Sequence, residues 1–206
     1  MKKLMILWLL GISFHISQVS SNAAVELQVR LNKIHSFYAN FSQKVMKVNG
    51  DLIQKGEGQL WIKHPNLFRF HMVSPDENWL ISDGSNFWFY NPLLEQVTVS
   101  LLNKITTDTP FMLITRNNPK DWKHYQISQN GNDFLMTTTQ KNMGNLKKFS
   151  ITIQSDGTIQ EFASIEKNGQ IILYELKSQK NDHVDDNKFK FFPPPGVTID
   201  DQRSIR

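Results

Sequence analysis

The chain has 206 residues, 39% hydrophobic and 20% charged, with 23 Lys plus Arg against 19 Asp plus Glu and a formal net charge of +4. That length supports one domain with a substantial core and is short for two; the composition excludes both a disordered chain and a polytopic membrane protein. The small, scattered positive excess gives no electrostatic footprint for nucleic acid, and the absence of cysteine excludes a disulfide framework, a thiolate metal site, a cysteine nucleophile and a cysteine lipid anchor.

An N-terminal leader is expected first. Lys2 and Lys3 precede an apolar run over residues 4–14, followed by polar and small residues. The run is too short for a helix that crosses a bilayer, which needs about 20 apolar residues. A basic start, a short apolar stretch and small residues at Ser21 and Ala23 describe a secretory signal peptide of residues 1–23. The plainer alternative is a buried N-terminal helix. Cleavage would leave one domain, residues 24–206, and lower the formal charge to +2, because the leader holds two lysines and no acid. No second apolar run approaches membrane length, so the product reads as a soluble protein outside the cytoplasm.

Leu27, Leu31, Ile34, Tyr38 and Phe41 recur at spacings of three or four, which predicts an amphipathic helix to about His35. The alternation of Phe37, Ala39, Phe41 and Gln43 then predicts a strand. Asn49-Gly50-Asp51 supplies a hairpin turn, since Asn-Gly accepts the positive φ angles such a turn needs. Strands follow at 52–63, where Gly56 and Gly58 mark a bend or bulge, and at 67–73, where Leu67, Arg69 and His71 oppose Phe68, Phe70 and Met72. Further strands are expected at 86–90, 97–101, 134–138, 149–153, 159–165 and 171–176, with turns at Gly84, Gly131, Gly157 and Gly169. Residues 108–116 carry a polar cap, a proline in the first turn and a basic end around an apolar middle, the pattern of a short helix covering an apolar surface. The whole indicates a mainly β domain with short helices, its antiparallel sheet wrapped toward a barrel or half-barrel.

Chemistry-bearing motifs are sparse. No Gly-x-Ser-x-Gly elbow, His-Glu-x-x-His pair or glycine-rich phosphate loop occurs, and His35, His64, His71, His124 and His183 are dispersed. Asp76-Glu77 and Asp185-Asp186 are adjacent carboxylates that an extended chain directs to opposite faces, so solvated loops explain them. The unusual content is aromatic: 14 Phe, 5 Trp and 4 Tyr, many of them between Trp61 and Tyr90. A curved sheet with covering helices encloses either a packed core or a cavity, and periodicity does not separate the two. The residues describe a binding protein rather than an enzyme, with no metal site.

Four blocks carry the reading further. Residues 58–68 (GQLWIKHPNLF), Ser82-Asp83-Gly84 with FWFYNP at 87–92, TPFMLI at 109–114 and PPGVTIDDQR at 194–203 resemble, in order, the motifs of the periplasmic outer-membrane lipoprotein carrier family, LolA. The resemblance spans essentially the whole mature chain. It implies an incomplete antiparallel β-barrel covered by an α-helical lid, enclosing a hydrophobic cavity for acyl chains, with no cofactor. It implies a monomer that accepts acylated lipoprotein cargo from an inner-membrane ABC-type release complex and passes it to an outer-membrane receptor, with no nucleic-acid partner. On this chain, Trp61, Phe70, Trp88, Tyr90, Phe111 and Met112 are then expected to line the cavity. Leu31, His64 and Ile114 would form the lid and its latch, and Phe68 would meet a partner.

One position departs from the family pattern. Where the family usually has arginine before Pro-Asn-Leu-Phe, this chain has His64. Histidine offers fewer donors and is mostly neutral at pH 7, so a weaker or pH-sensitive latch is expected; the alternative is that a neighbour takes over and His64 is simply exposed. Two other classes stay open: a related-fold sensor that binds lipid or lipoprotein, and an exported hydrolase with a dispersed nucleophile and base. The receptor of the same pathway shares the fold but is lipidated on a cysteine, which this chain lacks.

Overall fold

A computed structural model describes residues 19–105, 110–139 and 144–204; the expected leader, up to residue 18, and the first residues of the 108–116 segment lie outside the described residues. In chain order the elements are α1 (Val19–Asn32), β1 (Ser36–Met46), β2 (Leu52–Lys63), β3 (Leu67–Ser74), β4 (Asn78–Asp83), β5 (Asn86–Asn91) and β6 (Gln96–Leu101). Then come α2 (Pro110–Arg116), α3 (Pro119–Trp122), β7 (Tyr125–Asn130), β8 (Asp133–Thr138), β9 (Leu146–Ile153), β10 (Ile159–Glu166), β11 (Ile171–Lys180) and β12 (Thr198–Asp201). The strands form one open, curved sheet in the order β12-β6-β5-β4-β3-β2-β1-β11-β10-β9-β8-β7. Neighbours are antiparallel except β12, which runs parallel to β6. This is the mainly β half-barrel the turn-and-strand pattern indicates. The strands β4, β7 and β12 and the helix α3 lie beyond that pattern, and α1 stops at Asn32 rather than near His35.

Alternation assigns the two faces. In β1, Phe37, Ala39 and Phe41 are buried on the concave side, while Tyr38 and Asn40 point outward. The same period puts Leu60 and Ile62 of β2 and Phe68, Phe70 and Met72 of β3 inward. β2 bends where glycine permits it. A Cβ on Gly58 would lie 2.1 Å from the His71 carbonyl oxygen and 2.5 Å from Phe41 Cζ, so only hydrogen fits there. The β2–β3 register slips beside that residue, between Glu57 and Gly58.

Helix α1 lays Ala23, Leu27 and Leu31 into the concave core. Arg30 fastens it to the far half of the sheet: Nε meets Glu26 at 2.7 Å, and Nη1 donates to Asn132 Oδ1 and to the Ile153 carbonyl, each at 2.7 Å. Its guanidinium also stands 5.2 Å from the centre of the Phe134 ring. A buried arginine is tolerable only with partners of this kind, and here they come from α1 itself, the β7–β8 turn, β8 and β9.

Candidate functional site

The concave face is the apolar interior of the half-barrel. Its floor is built by inward side chains of β1, β2 and β3, with Phe41 and Phe70 stacked at 4.6 Å and Tyr174 set edge-on to both. One end is filled by helices: Leu27, Leu31 and Ile34 from α1 and its exit, and Met112, Leu113 and Ile114 from α2, all buried in the same cluster. Of the expected lid and cavity residues, Leu31, Ile114, Phe70 and Met112 therefore share one apolar cluster. The side chain of Phe111 lies outside the described residues. Phe68, expected at a partner surface, is completely buried and packs on Phe87 with ring centres 6.1 Å apart.

Helix α2 is tied to the turn between β2 and β3. Asn66 takes φ 66°, a left-handed conformation asparagine adopts more readily than most residues, and its N–H donates to the Thr115 carbonyl at 3.3 Å. Its own carbonyl accepts from the Ser82 hydroxyl at 2.5 Å, which anchors the turn to the end of β4. His64 sits in the same turn with its N–H bonded to the His35 carbonyl at 2.9 Å. His64 Nε2 and Asn66 Oδ1 are both buried without a hydrogen-bond partner. Burial, together with the like-signed His35, lowers the His64 pKa to about 4, so the ring is neutral at pH 7. The side chain thus supplies no charge and, through Nε2, no hydrogen bond to helix α2. The alternative of a simply exposed His64 does not hold.

The other end of the concave face is open. A recess of about 490 Å³ lies where β1 ends, β2 begins and the β3–β4 and β10–β11 turns meet. Val45, Ile53, Phe70, Met72, Pro75 and Leu80 give it apolar walls, and Gln54, Asp76, Asn78 and Gln170 contribute polar groups. At its base Gln43 Nε2 donates to the Tyr174 hydroxyl at 2.8 Å, and burial pushes the Tyr174 pKa up to about 12. Periodicity already directs Gln43 inward as the polar member of an apolar row; nothing in the sequence pairs it with Tyr174.

Three expected cavity residues belong elsewhere. Trp61, Trp88 and Tyr90 stand on the convex face, because each follows an inward residue: Leu60, Phe87 and Phe89. They do not share a surface with Phe70 and Met112, so the six-residue cavity is corrected to its concave members. The convex aromatics lie under the chain's C-terminal strap, the segment after β11. Phe191 packs on Trp88 and Tyr90 at 5.6 and 5.8 Å, and Phe189 is buried. Ile81, Val97 and Val99 are fully buried yet stand apart from the concave cluster. Where the strap crosses β2 to β4 it leaves an open groove of about 750 Å³ lined by Trp61, Arg69, His71, Trp79 and Lys188 among others. Arg69 is partly desolvated there, 4.5 Å from the Trp79 ring, and donates to the Lys188 carbonyl at 3.0 Å.

Among the described residues no group of three or more His, Cys, Asp and Glu could hold a metal ion, and no helix is long and apolar enough to cross a membrane. An open half-barrel with an apolar concave face, covered by helices at one end and recessed at the other, defines a small binding protein with a hydrophobic interior.

Comparison with known proteins agrees. The model of the family described as outer membrane lipoprotein carrier protein LolA matches residues 32–192. The outer-membrane lipoprotein carrier proteins of Photorhabdus laumondii and Serratia proteamaculans are 55% and 53% identical to this chain. Each alignment covers 98% of this chain and 100% of the relative. The chain belongs to the outer membrane lipoprotein carrier family. In fold it is also similar to an uncharacterized conserved protein from Thermus thermophilus, with a TM-score of 0.57 at 11% identity, covering 87% of this chain and 99% of the other.

Proposed function

We propose that this protein is a periplasmic lipoprotein carrier that accepts acylated cargo from an inner-membrane ABC-type release complex, shields the acyl chains on its concave face and delivers them to an outer-membrane receptor. It acts as a monomer and performs no covalent chemistry. The observation that carries the reading is the concave face itself: a continuous apolar surface whose covering helix α2 is held largely by side-chain burial, with a recess at the opposite end.

The energetics favour such a design. Burying a methylene is worth about 0.8 kcal/mol, so three chains of roughly 16 carbons represent on the order of 40 kcal/mol gross. Cargo of that kind cannot wait in water, and a carrier that captured the whole amount could not let go. Displacing Met112, Leu113 and Ile114 from the concave face offsets part of the gain, because they must leave apolar contacts to make room. Phe68 becomes accessible in the same movement, which gives it a route to a partner despite its burial in the closed form. Leu31 and Ile114 act as cover, and Phe70 and Met112 as lining.

The test is to purify the protein from periplasm and identify bound material by mass spectrometry. Co-purifying triacylated lipoprotein is the expected result. Protein that stays ligand-free even when the release complex is co-expressed overturns the reading. The match over the full length of carrier relatives favours this function over a related-fold sensor.

A further inference from the structure

Gln43 is the one buried amide on the floor of the open recess. Its Nε2 is engaged by Tyr174, but its Oε1 accepts no hydrogen bond from any described residue. Gly56, directly across the β1–β2 ladder, keeps a side chain off that oxygen: a Cβ there would crowd Gln43 Oε1 at 3.3 Å and lie 2.7 Å from the Ser74 carbonyl oxygen. The amide also keeps a second Nε2 hydrogen. A primary carboxamide placed so beside Phe70, Met72, Leu80 and Val45 offers one acceptor and one donor at the base of a recess of mixed polar and apolar lining.

The recess is selective by charge as well. Among the described residues its ionisable members are Asp76 and Tyr174, and burial holds the tyrosine in its neutral form; no described lysine, arginine or histidine lines it. An anionic head, whether carboxylate or phosphate, would find repulsion and no counter-ion. An ester offers acceptors only, and would leave Gln43 Oε1 unmatched. A secondary amide presents both an N–H and a C=O, the complement of what Gln43 presents.

We propose that the recess is the head-group subsite of the cargo, in which Gln43 pairs with the secondary amide of an N-acylated amino terminus while the acyl chain runs along the concave face toward α2. This rests on the carrier reading and adds to it a direction: the protein part of the cargo leaves through the recess end, and the chain tips approach Met112 and Ile114. Tyr174 is a positioning residue, holding the Gln43 amide by its hydroxyl.

The experiment is a competition assay on the full chain against a bound pyrene-labelled alkane, using N-butyldodecanamide, butyl dodecyl ether and dodecanoate as competitors. The amide is expected to compete better than the ether by roughly fivefold, the worth of one net hydrogen bond, and dodecanoate to be the weakest. In Gln43→Met the amide-to-ether ratio falls to about one. Equal competition by amide and ether in the unaltered protein overturns the subsite while leaving the carrier reading intact. So does a preserved ratio in a folded Gln43→Met. Failure of the protein to bind the alkane at all overturns both. Should Gln43→Met not melt cooperatively, the ratio in the unaltered protein decides alone.

Discussion

The two faces of the sheet are both apolar and both covered, but by different means. On the convex side the strap is fastened through polar groups along its length. Lys63 pairs with Asp186, Arg69 holds the Lys188 carbonyl at 3.0 Å, and β12 joins the β6 edge by main-chain hydrogen bonds, with the Gln202 N–H reaching the Val99 carbonyl at 2.8 Å. On the concave side α2 contributes buried Met112, Leu113 and Ile114 and is tied by the Asn66 N–H to the Thr115 carbonyl at 3.3 Å and, just past its end, by Asn117 Nδ2 to Asn32 Oδ1 at 2.7 Å, while the turn against it leaves His64 Nε2 and Asn66 Oδ1 unpaired. A ladder of directional bonds must break in sequence, whereas apolar contact is non-directional and can be exchanged for another apolar surface. On the carrier reading proposed above, the concave cover is the one to be replaced, and the convex cover stays.

Filling the floor of the concave side should have the largest effect. Gly58→Val drives a side chain into the His71 carbonyl and the Phe41 ring, so a loss of more than about 4 kcal/mol is expected, read as absence of a cooperative thermal transition. A folded variant with an ordinary melting temperature would show that the two strands can separate there.

Next, Phe189→Ala within the strap should cost about 4 kcal/mol, whereas Met112→Ala on α2 should cost about 2. Hydrogen exchange sharpens the contrast. Met112→Ala should accelerate the amides of α2 alone, and acceleration across the sheet would mean that α2 is an ordinary part of the core.

The third prediction concerns acid. His64 titrates near 4 when buried, and a hydrated histidine near 6.5. A depressed pKa for a base means the closed state is favoured fully above pH 6.5 and progressively less as pH falls from 6.5 to 4. Opening of α2, followed by a fluorophore at its C-terminal end, should therefore be roughly tenfold more populated at pH 5.5 than at pH 8. His64→Phe should remove that dependence; a slope that survives in the variant would assign it to another group. The smallest effect is expected from Arg203→Ala, whose exposed pairing with Asp201 should leave the melting temperature unchanged within error.

Much of this was readable in the amino-acid order. The turn at Asn49-Gly50 and the alternation of β1, β2 and β3 define which residues enter the concave core, because one face of those strands is clearly apolar and the other mixed. The strand β4, Asn-Trp-Leu-Ile-Ser-Asp, hides its character for the opposite reason. Ile81 is buried under the strap and Leu80 packs toward the concave core, so period-two contrast disappears. The same effect misplaces Trp88 and Tyr90. In Phe87-Trp88-Phe89-Tyr90 every residue is aromatic, and composition cannot say which alternate pair looks inward; register settles it. Recognition of the strap needed the Phe189 and Phe191 repeat to be matched with an apolar face not yet known to exist. The Gln43–Tyr174 pair joins residues 131 positions apart and leaves no local trace.

The parallel strand β12 has a consequence for life in a crowded compartment. Without it, β6 would offer an unpaired row of amides and carbonyls on a valine-bearing strand, a template on which another chain could add itself. The chain's own tail occupies that row with only four residues, Thr198–Asp201, two of them aspartates. So short and acidic a margin gives a stray strand little to grip. On the carrier reading, a protein that uncovers its oily side in each cycle can thus meet others of its kind with its β6 edge already occupied.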